Sequence, residues 1–229
     1  MEFLLSGCDG TLSTSPPVVK EKKPFQLPLK NDNIRRVYAY LIKHRGLDSG
    51  VLHTFVKSGM IYESADYHNA VFVGYDVDGV PRHAHMRGTG QASTFKGNID
   101  SCIPDYSFHW NGASNKLYLF EAPIDMLSFI SMNQNGWKKH SYAACCGISD
   151  RVMWQMMADN PQIDIVYLCL DNDEAGQKAS KRISESLFVK GIKHEILVPI
   201  RKDWNEDLLY PTEKESEEEG EKPCQALQL

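Results

Sequence analysis

Two apolar runs in this 229-residue sequence end in carboxylates. "KLYLFE" delivers Glu121, with Asp125 four residues on, and "IVYLCLD" delivers Asp171, with Asp173 two residues further. Acids brought together in a cleft raise one another's pKa or attract a cation, and hard oxygen donors of this kind suit Mg2+ or Mn2+. Because Mg2+ keeps waters and usually borrows phosphate oxygens from a substrate, an open set of two or three acids points to a phosphate-handling site. Taken singly, the same residues also fit plainer roles. Asp173 and Glu174 stand where a helix cap and a first-turn acid belong, Asp125 opens a helix, and Glu121 is a strand-end acid. Asp171, which closes an otherwise apolar strand, is harder to account for structurally.

The elements that must position these acids read as an alternation. Strand "KLYLFE" leads to a helix from about residue 123 to 132, strand "SYAAC" to a helix over about 149–158, and strand "DIVYLCLD" to a helix over about 174–189 before strand "HEILVP". Strand and helix alternating with short connections predict an α/β fold with a parallel-rich sheet flanked by helices on both faces. Ligands in such a sheet bind beyond the carboxyl ends of the strands, where loops and helix N-termini collect. If the strands are neighbours, Glu121, Asp171 and Asp173 meet in one pocket.

Upstream, "NDNIRRVYAYLIKHRG" places Ile34, Val37, Tyr38, Leu41 and Ile42 at helical spacing up to Gly46, and "LDSGVLHTFVKSG" offers a second helix capped by Asp48. "NAVFVGYDVDGVPRHAHMRG" reads as a hairpin, Val71 to Tyr75 and Pro81 to Met86, about an Asp-Gly turn. The expected organisation is a flexible arm or linker over 1–30, a small α+β subdomain over 31–110, the α/β domain over 115–210, and an acidic disordered tail over 211–229. Arg82, His83, His85 and Arg87 crowd onto one strand and its exit, and with Arg45 and Lys96 they are candidate phosphate partners. Alternation sends Arg82 to the face opposite His83 and His85.

Composition adds limits. With 42% hydrophobic residues the chain can build an ordinary core, and neither a membrane-length apolar run nor a signal-peptide pattern is visible, so the cytoplasm and no membrane partner are expected. Six scattered cysteines form no CxxC pair and no zinc-type spacing, and read as reduced thiols. Of the formal charge of -5, the stretch "EKESEEEGEK" carries -4, from six acids and two lysines, so the remainder is close to neutral. Charge therefore neither demands nor excludes a polyanionic partner.

The joint motif, "LYLFEAPIDML" followed about fifty residues later by "VYLCLDNDEAGQKA", resembles the Toprim domain shared by bacterial primases, topoisomerases and some nucleases. Glu121 and Asp125 fall on that family's first motif, Asp171 and Asp173 on its Asp-x-Asp motif, and Ala175-Gly176 is similar to the primase branch. The upstream stretch resembles the N-terminal half of the bacterial primase catalytic core. It is closer still to an uncharacterised domain that precedes Toprim in plasmid and conjugative-element proteins. The resemblance implies that Asp171 and Asp173 hold Mg2+ (or Mn2+), with Glu121 acting as acid/base or completing the metal site. Asp203 and Asp207 in "RKDWNEDLL" would support it, unless they are turn formers.

The implied activity is Mg2+-dependent nucleotidyl transfer on a single-stranded DNA template, using nucleoside triphosphates, in replication or transfer of a mobile element. A helicase or relaxase is the further partner this setting suggests. Ala122 stands where the first motif commonly has Gly, and neither a zinc-ribbon module nor a helicase-binding extension is visible. Three other functions remain in play: a Toprim nuclease, a non-catalytic DNA-binding replication accessory, and a phosphatase with Asp171 as nucleophile. A topoisomerase is not expected, because the length leaves no room for a separate domain carrying a catalytic tyrosine.

Overall fold

The computed structural model describes residues 23–90, 93–147 and 149–211, so the expected acidic tail lies almost wholly outside the described residues. The first unit opens with helix α1 (Arg35–Ala39), which runs on into a wider π-helical turn, Tyr40–His44. At its start Asn33 Oδ1 accepts from the Arg35 N–H at 3.1 Å, and Glu63, a buried strand residue, accepts from the backbone N–H groups of Arg36 and Val37. Gly46, at φ +69, ends the turn in a conformation that favours glycine. Helix α2 (Ser49–Lys57) is capped as its sequence predicts, with the Asp48 side chain accepting from the Val51 N–H at 2.8 Å.

Strands β1 (Ile61–Glu63), β2 (Ala70–Tyr75), β3 (Pro81–Arg87) and β4 (Lys96–Asn98) then form an antiparallel sheet in that order. The hairpin expected from the Asp-Gly turn is its centre. The short flanking strands β1 and β4 have too few residues to show a period of their own. Residues 23–30 differ from the flexible arm expected there. Lys30 bridges to Ser64, and Phe25 and Leu27 pack on Tyr62, Val71, Val73 and Ala84. Prolines at 24 and 28 disguise an apolar alternation in "FQLPLK" that suits the outer face of the sheet.

The second unit comprises β5 (His109–Trp110), β6 (Lys116–Phe120), α3 (Pro123–Met132), β7 (Ser141–Ala144), α4 (Arg151–Asp159), β8 (Ile165–Leu168), α5 (Glu174–Val189), β9 (Lys193–Ile196) and α6 (Trp204–Leu209). Its sheet runs β5-β7-β6-β8-β9, parallel except for β5. This is the expected parallel-rich α/β sheet with flanking helices, preceded by a small α+β unit. Two details depart from expectation. Residues 109–110 join the second sheet rather than the first unit, and "RKDWNEDLL" is not a plain turn but contains the whole of α6, capped by Asp203 accepting from the Glu206 N–H at 2.8 Å.

Strand alternation divides the core. Leu117, Leu119, Ala143, Val166 and Leu168 share one cluster with α4 and α5 through Val152, Met153, Ile183 and Leu187. Phe120, Tyr142 and Ala144 belong to another, which runs without a break into Leu41, Leu52, Phe55 and Phe72 of the first unit. Phe55 lies against Phe108 at 5.5 Å and stacks on Trp137 at 5.6 Å, so the two units share aromatic packing. Each such fully buried ring stabilises by about 2–3 kcal/mol. A shared core fixes how the β3 face of the first unit sits over the strand ends of the second.

Candidate active site

Strands β6 and β8 are adjacent, in parallel register from Lys116↔Ile165 to Leu119↔Leu168. Pairing continues past both ends: the Cys169 N–H donates to Leu119 O at 2.8 Å, and from the next strand the Cys146 N–H donates to Glu121 O at 2.9 Å. The chains leaving β6 and β8 are thus held side by side, and Glu121 and Asp171 emerge together. The Asp171 peptide is held close to α5. A Cβ at Gly176 would stand 2.1 Å from Asp171 O, so the first turn of the helix reaches this distance only with glycine.

A cleft of about 230 Å3 lies where the two units meet, and Glu121, Asp125, Asp171 and Asp203 line it. Asp125 is buried on the first turn of α3, where it accepts from the Asn205 N–H. Burial, reinforced by Asp171 and Asp203, holds its carboxyl well above the usual range. Burial together with the charges of Glu121, Asp203 and Asp173 pushes Asp171 up to about 7. Glu121 is raised in the same way, by burial and then by Asp173, against the opposing pull of Lys96 and Lys202. Asp173 caps α5, accepting from the Gly176 N–H at 2.9 Å, and its charge still reaches both Glu121 and Asp171.

The opposite wall carries positive charge. Arg45, Arg87 and Lys96 line the same cleft, as does Lys202 just before α6, while His85 among them is held toward its neutral form by burial. Tyr40 orients two of them: its hydroxyl accepts from Arg45 Nε at 2.9 Å and from Arg87 Nε at 3.3 Å. Asn205 fixes Arg45 from the other side, accepting from Nη1 at 3.1 Å while its own amide donates to Arg45 O at 2.7 Å and to Ser128 Oγ at 3.0 Å. Asn98 donates to Cys146 O at 2.9 Å, so its Oδ1 faces His85 Nδ1 at 2.7 Å. His85 therefore carries its proton on Nδ1 and leaves Nε2 as the acceptor.

The remaining expected residues lie elsewhere. Arg82 points to the other face of the sheet and pairs with Asp76, Nε to Oδ2 at 2.7 Å. His83 is fully buried with neither ring nitrogen partnered, and burial pushes its pKa down to about 4, so it presents no charge to a phosphate. Asp207 accepts from the backbone N–H groups of Ile200 and Arg201, both at 2.8 Å, and braces the loop before α6 instead of joining the acids. Tyr40, Asn205 and Lys202 join the site beyond the residues expected from the sequence. Only Lys202, a lysine beside an acidic turn, carries a local signal.

No group of three or more His, Cys, Asp or Glu among the described residues forms a ready metal cage. An open Mg2+ site is a different arrangement, needing one or two carboxylates with free oxygens and room for waters and phosphate. Asp171 Oδ1 fits that demand, since it is buried and has no hydrogen-bond partner. A buried, unpaired carboxylate oxygen among like charges is costly unless protonated or met by a cation. The donor set is therefore compatible with Mg2+ or Mn2+.

Residues 118–208 match the family model described as Toprim-like. Over these residues the chain is similar to Toprim-like domains. Residues 39–114, ahead of this domain, match the model described as a protein of unknown function, DUF3991. An uncharacterised protein of the Bacillus anthracis plasmid pXO2 is 25% identical over 169 residues, 68% of this chain and 48% of that protein. The chain thus spans about half the length of that relative. Among solved structures, the primase fragment of the bacteriophage T7 primase-helicase superposes with a TM-score of 0.60 at 20% identity, covering 88% of this chain and 82% of that one. The DnaG catalytic core gives 0.52 at 16% identity, covering 81% and 71%. At these identities the likeness is one of fold, and it extends over the Toprim-like domain and the unit before it.

Proposed function

We propose that the cleft carries out Mg2+-dependent nucleotidyl transfer on a single-stranded DNA template, as a primase-like activity serving replication or transfer of a mobile element. The observation that carries this reading is the buried, unpartnered Asp171 Oδ1, set among Glu121, Asp125 and Asp203 and facing Arg45, Arg87 and Lys96 across one cleft. Acids on one wall and bases on the other suit a substrate that brings phosphates and a cation together. Asp171 and Asp173 would hold Mg2+ or Mn2+, with Asp203 beside them. Bound there, the cation would offset negative charge on the reacting phosphate.

The chain's own residues do the rest. Arg45 and Arg87, both held by Tyr40, bind and orient the triphosphate or the template backbone. Glu121, with its raised pKa, is suited to accept the proton of the attacking hydroxyl as the new phosphodiester forms and pyrophosphate leaves. Asp125 is buried and held toward its neutral form, so it limits the total negative charge of the cluster. The plasmid relative and the primase folds support a setting in mobile-element replication, with a helicase or relaxase as partner.

Lys202 favours one second reading. A lysine beside the acids would also serve a nuclease in which the same carboxylates activate water. A single assay separates the two: single-stranded DNA, labelled nucleoside triphosphates and Mg2+ or Mn2+, with the chain compared against Asp171→Ala/Asp173→Ala. Template-dependent products lost in the variant support nucleotidyl transfer, and shortening of the DNA supports the nuclease. DNA binding without turnover would leave a non-catalytic accessory role. Normal synthesis by the variant would refute the assignment of these acids.

A further inference from the structure

We propose that a single strand of nucleic acid passes from the carboxylate cleft over Arg45 and stacks its bases on Tyr67 and Phe95, in a groove beside the exit of β3. The proposal rests on the function assigned to the cleft and adds a binding site to it.

Three hollows are joined by the residues they share. The cleft contributes Arg45 to a second hollow of about 160 Å3, which Tyr40 and His44 also line. That hollow shares Thr89, Gly90 and Ser93 with a groove of about 620 Å3, which Tyr67, Met86 and Phe95 also line. Alternation at the end of β3 sets Met86 in the groove on one face of the sheet and Arg87 in the cleft on the other, so the path turns around the exit of this strand. A flexible chain can follow this path, with cationic groups at one end and an apolar wall at the other.

Tyr67 is built to face solvent. It is 88% exposed, and it and His68 both hold left-handed backbone, at φ +60 and +53, which is uncommon for residues other than glycine and asparagine. Such a conformation persists only where its surroundings impose it. Here His68 Nδ1 lies 2.6 Å from Oε1 of buried Glu63, and Thr89 Oγ1 donates to His68 O at 2.8 Å. The same Glu63 caps α1 through Arg36 and Val37, so the loop presenting Tyr67 is anchored to the unit that presents Arg45. Phe95 is 46% exposed on the other flank, next to Lys96 of the cleft wall, and its carbonyl is fixed by the Gly88 N–H at 2.9 Å.

Exposed rings in an apolar groove continuous with arginines and a lysine match the two demands of single-stranded nucleic acid. Phosphates need the cations, and every base offers a face to a ring irrespective of sequence. The polar wall residues Asp66 and Asn69 leave room for hydrogen bonds to base edges. A peptide would use the rings but not the row of cations leading to the acids.

The test is fluorescence anisotropy on the full chain with labelled oligo(dT) of about 4 and about 16 nucleotides, the span of single-strand site sizes. The longer oligonucleotide binds the wild type more tightly. Tyr67→Ala/Phe95→Ala weakens it about 10- to 100-fold, leaves the shorter one unchanged, and unfolds at the same temperature as wild type. Tyr67→Trp keeps the affinity, and its indole fluorescence is quenched on binding. Undiminished affinity of the double alanine variant for the longer oligonucleotide would overturn the proposal and leave the groove to a peptide partner. Failure of the wild type to bind either oligonucleotide would instead remove the nucleic-acid reading of the cleft itself.

Discussion

Replacing Asp171 by Asn should stabilise the cation-free protein at neutral and alkaline pH. In the fold, the Asp171 carboxyl rises from 3.8 to about 7, because burial and the neighbouring acids disfavour its charge. A rise of that size corresponds to about 4 kcal/mol at full ionisation, and partial exposure to solvent reduces it to about 2 kcal/mol. The sign follows from proton binding. The folded state holds this proton more tightly than the unfolded chain, so the associated stability is fully present below pH 3.8 and is lost as pH rises through about 7. Asn mimics the protonated form and escapes that loss.

Urea unfolding in a chelator at pH 5 and pH 8 measures it. The variant should gain little over wild type at the lower pH and about 2 kcal/mol at the higher. Adding Mg2+ should stabilise the wild type by about 1–3 kcal/mol at 10–100 times its dissociation constant, and the variant by less. If Asp171→Asn is no more stable than wild type at pH 8 in chelator, the carboxyl is not the strained, unpaired group described above, and the reasoning from Oδ1 fails.

Two further substitutions probe how the site is held. Asn205→Ala removes three side-chain hydrogen bonds linking Arg45 and Ser128, and should cost about 2–4 kcal/mol in chemical denaturation. Asn205→Asp, which keeps an acceptor for Arg45 but loses the donors, should fall between. Gly176→Ala would drive a methyl into Asp171 O, so α5 or the Asp171 peptide must shift. A loss of about 1–3 kcal/mol and a marked fall in divalent-cation affinity are expected, by unfolding and by cation titration respectively.

Legibility in the sequence tracked the range of the interactions. The strands carrying Glu121 and Asp171 were visible because their continuous apolar runs are a local signal, and so were the helices that Asp48 and Asp173 cap. Arg82 could be set apart from His83 and His85 by the same alternation. The full burial of His83 could not, since it depends on the shared core that covers this face of the sheet. Strands β1, β4 and β5 have two or three residues each, and only their partners define them. Residues 23–30 hid a strand-like alternation behind two prolines. Tyr40 and Asn205 sit 165 residues apart in number, joined only through Arg45, and no spacing within the sequence signals such a contact. Asp207 resembled a site acid by composition and is a loop brace by geometry.

The most direct measurement is a Mn2+ titration of the full chain followed by electron paramagnetic resonance, with Mg2+ as competitor. The wild type should bind Mn2+ in a form that Mg2+ displaces, and Asp171→Asn/Asp173→Asn should bind it at least about tenfold more weakly. Equal Mn2+ affinity in wild type and variant would contradict the central claim, that the acids at the ends of β6 and β8 form a divalent-cation site.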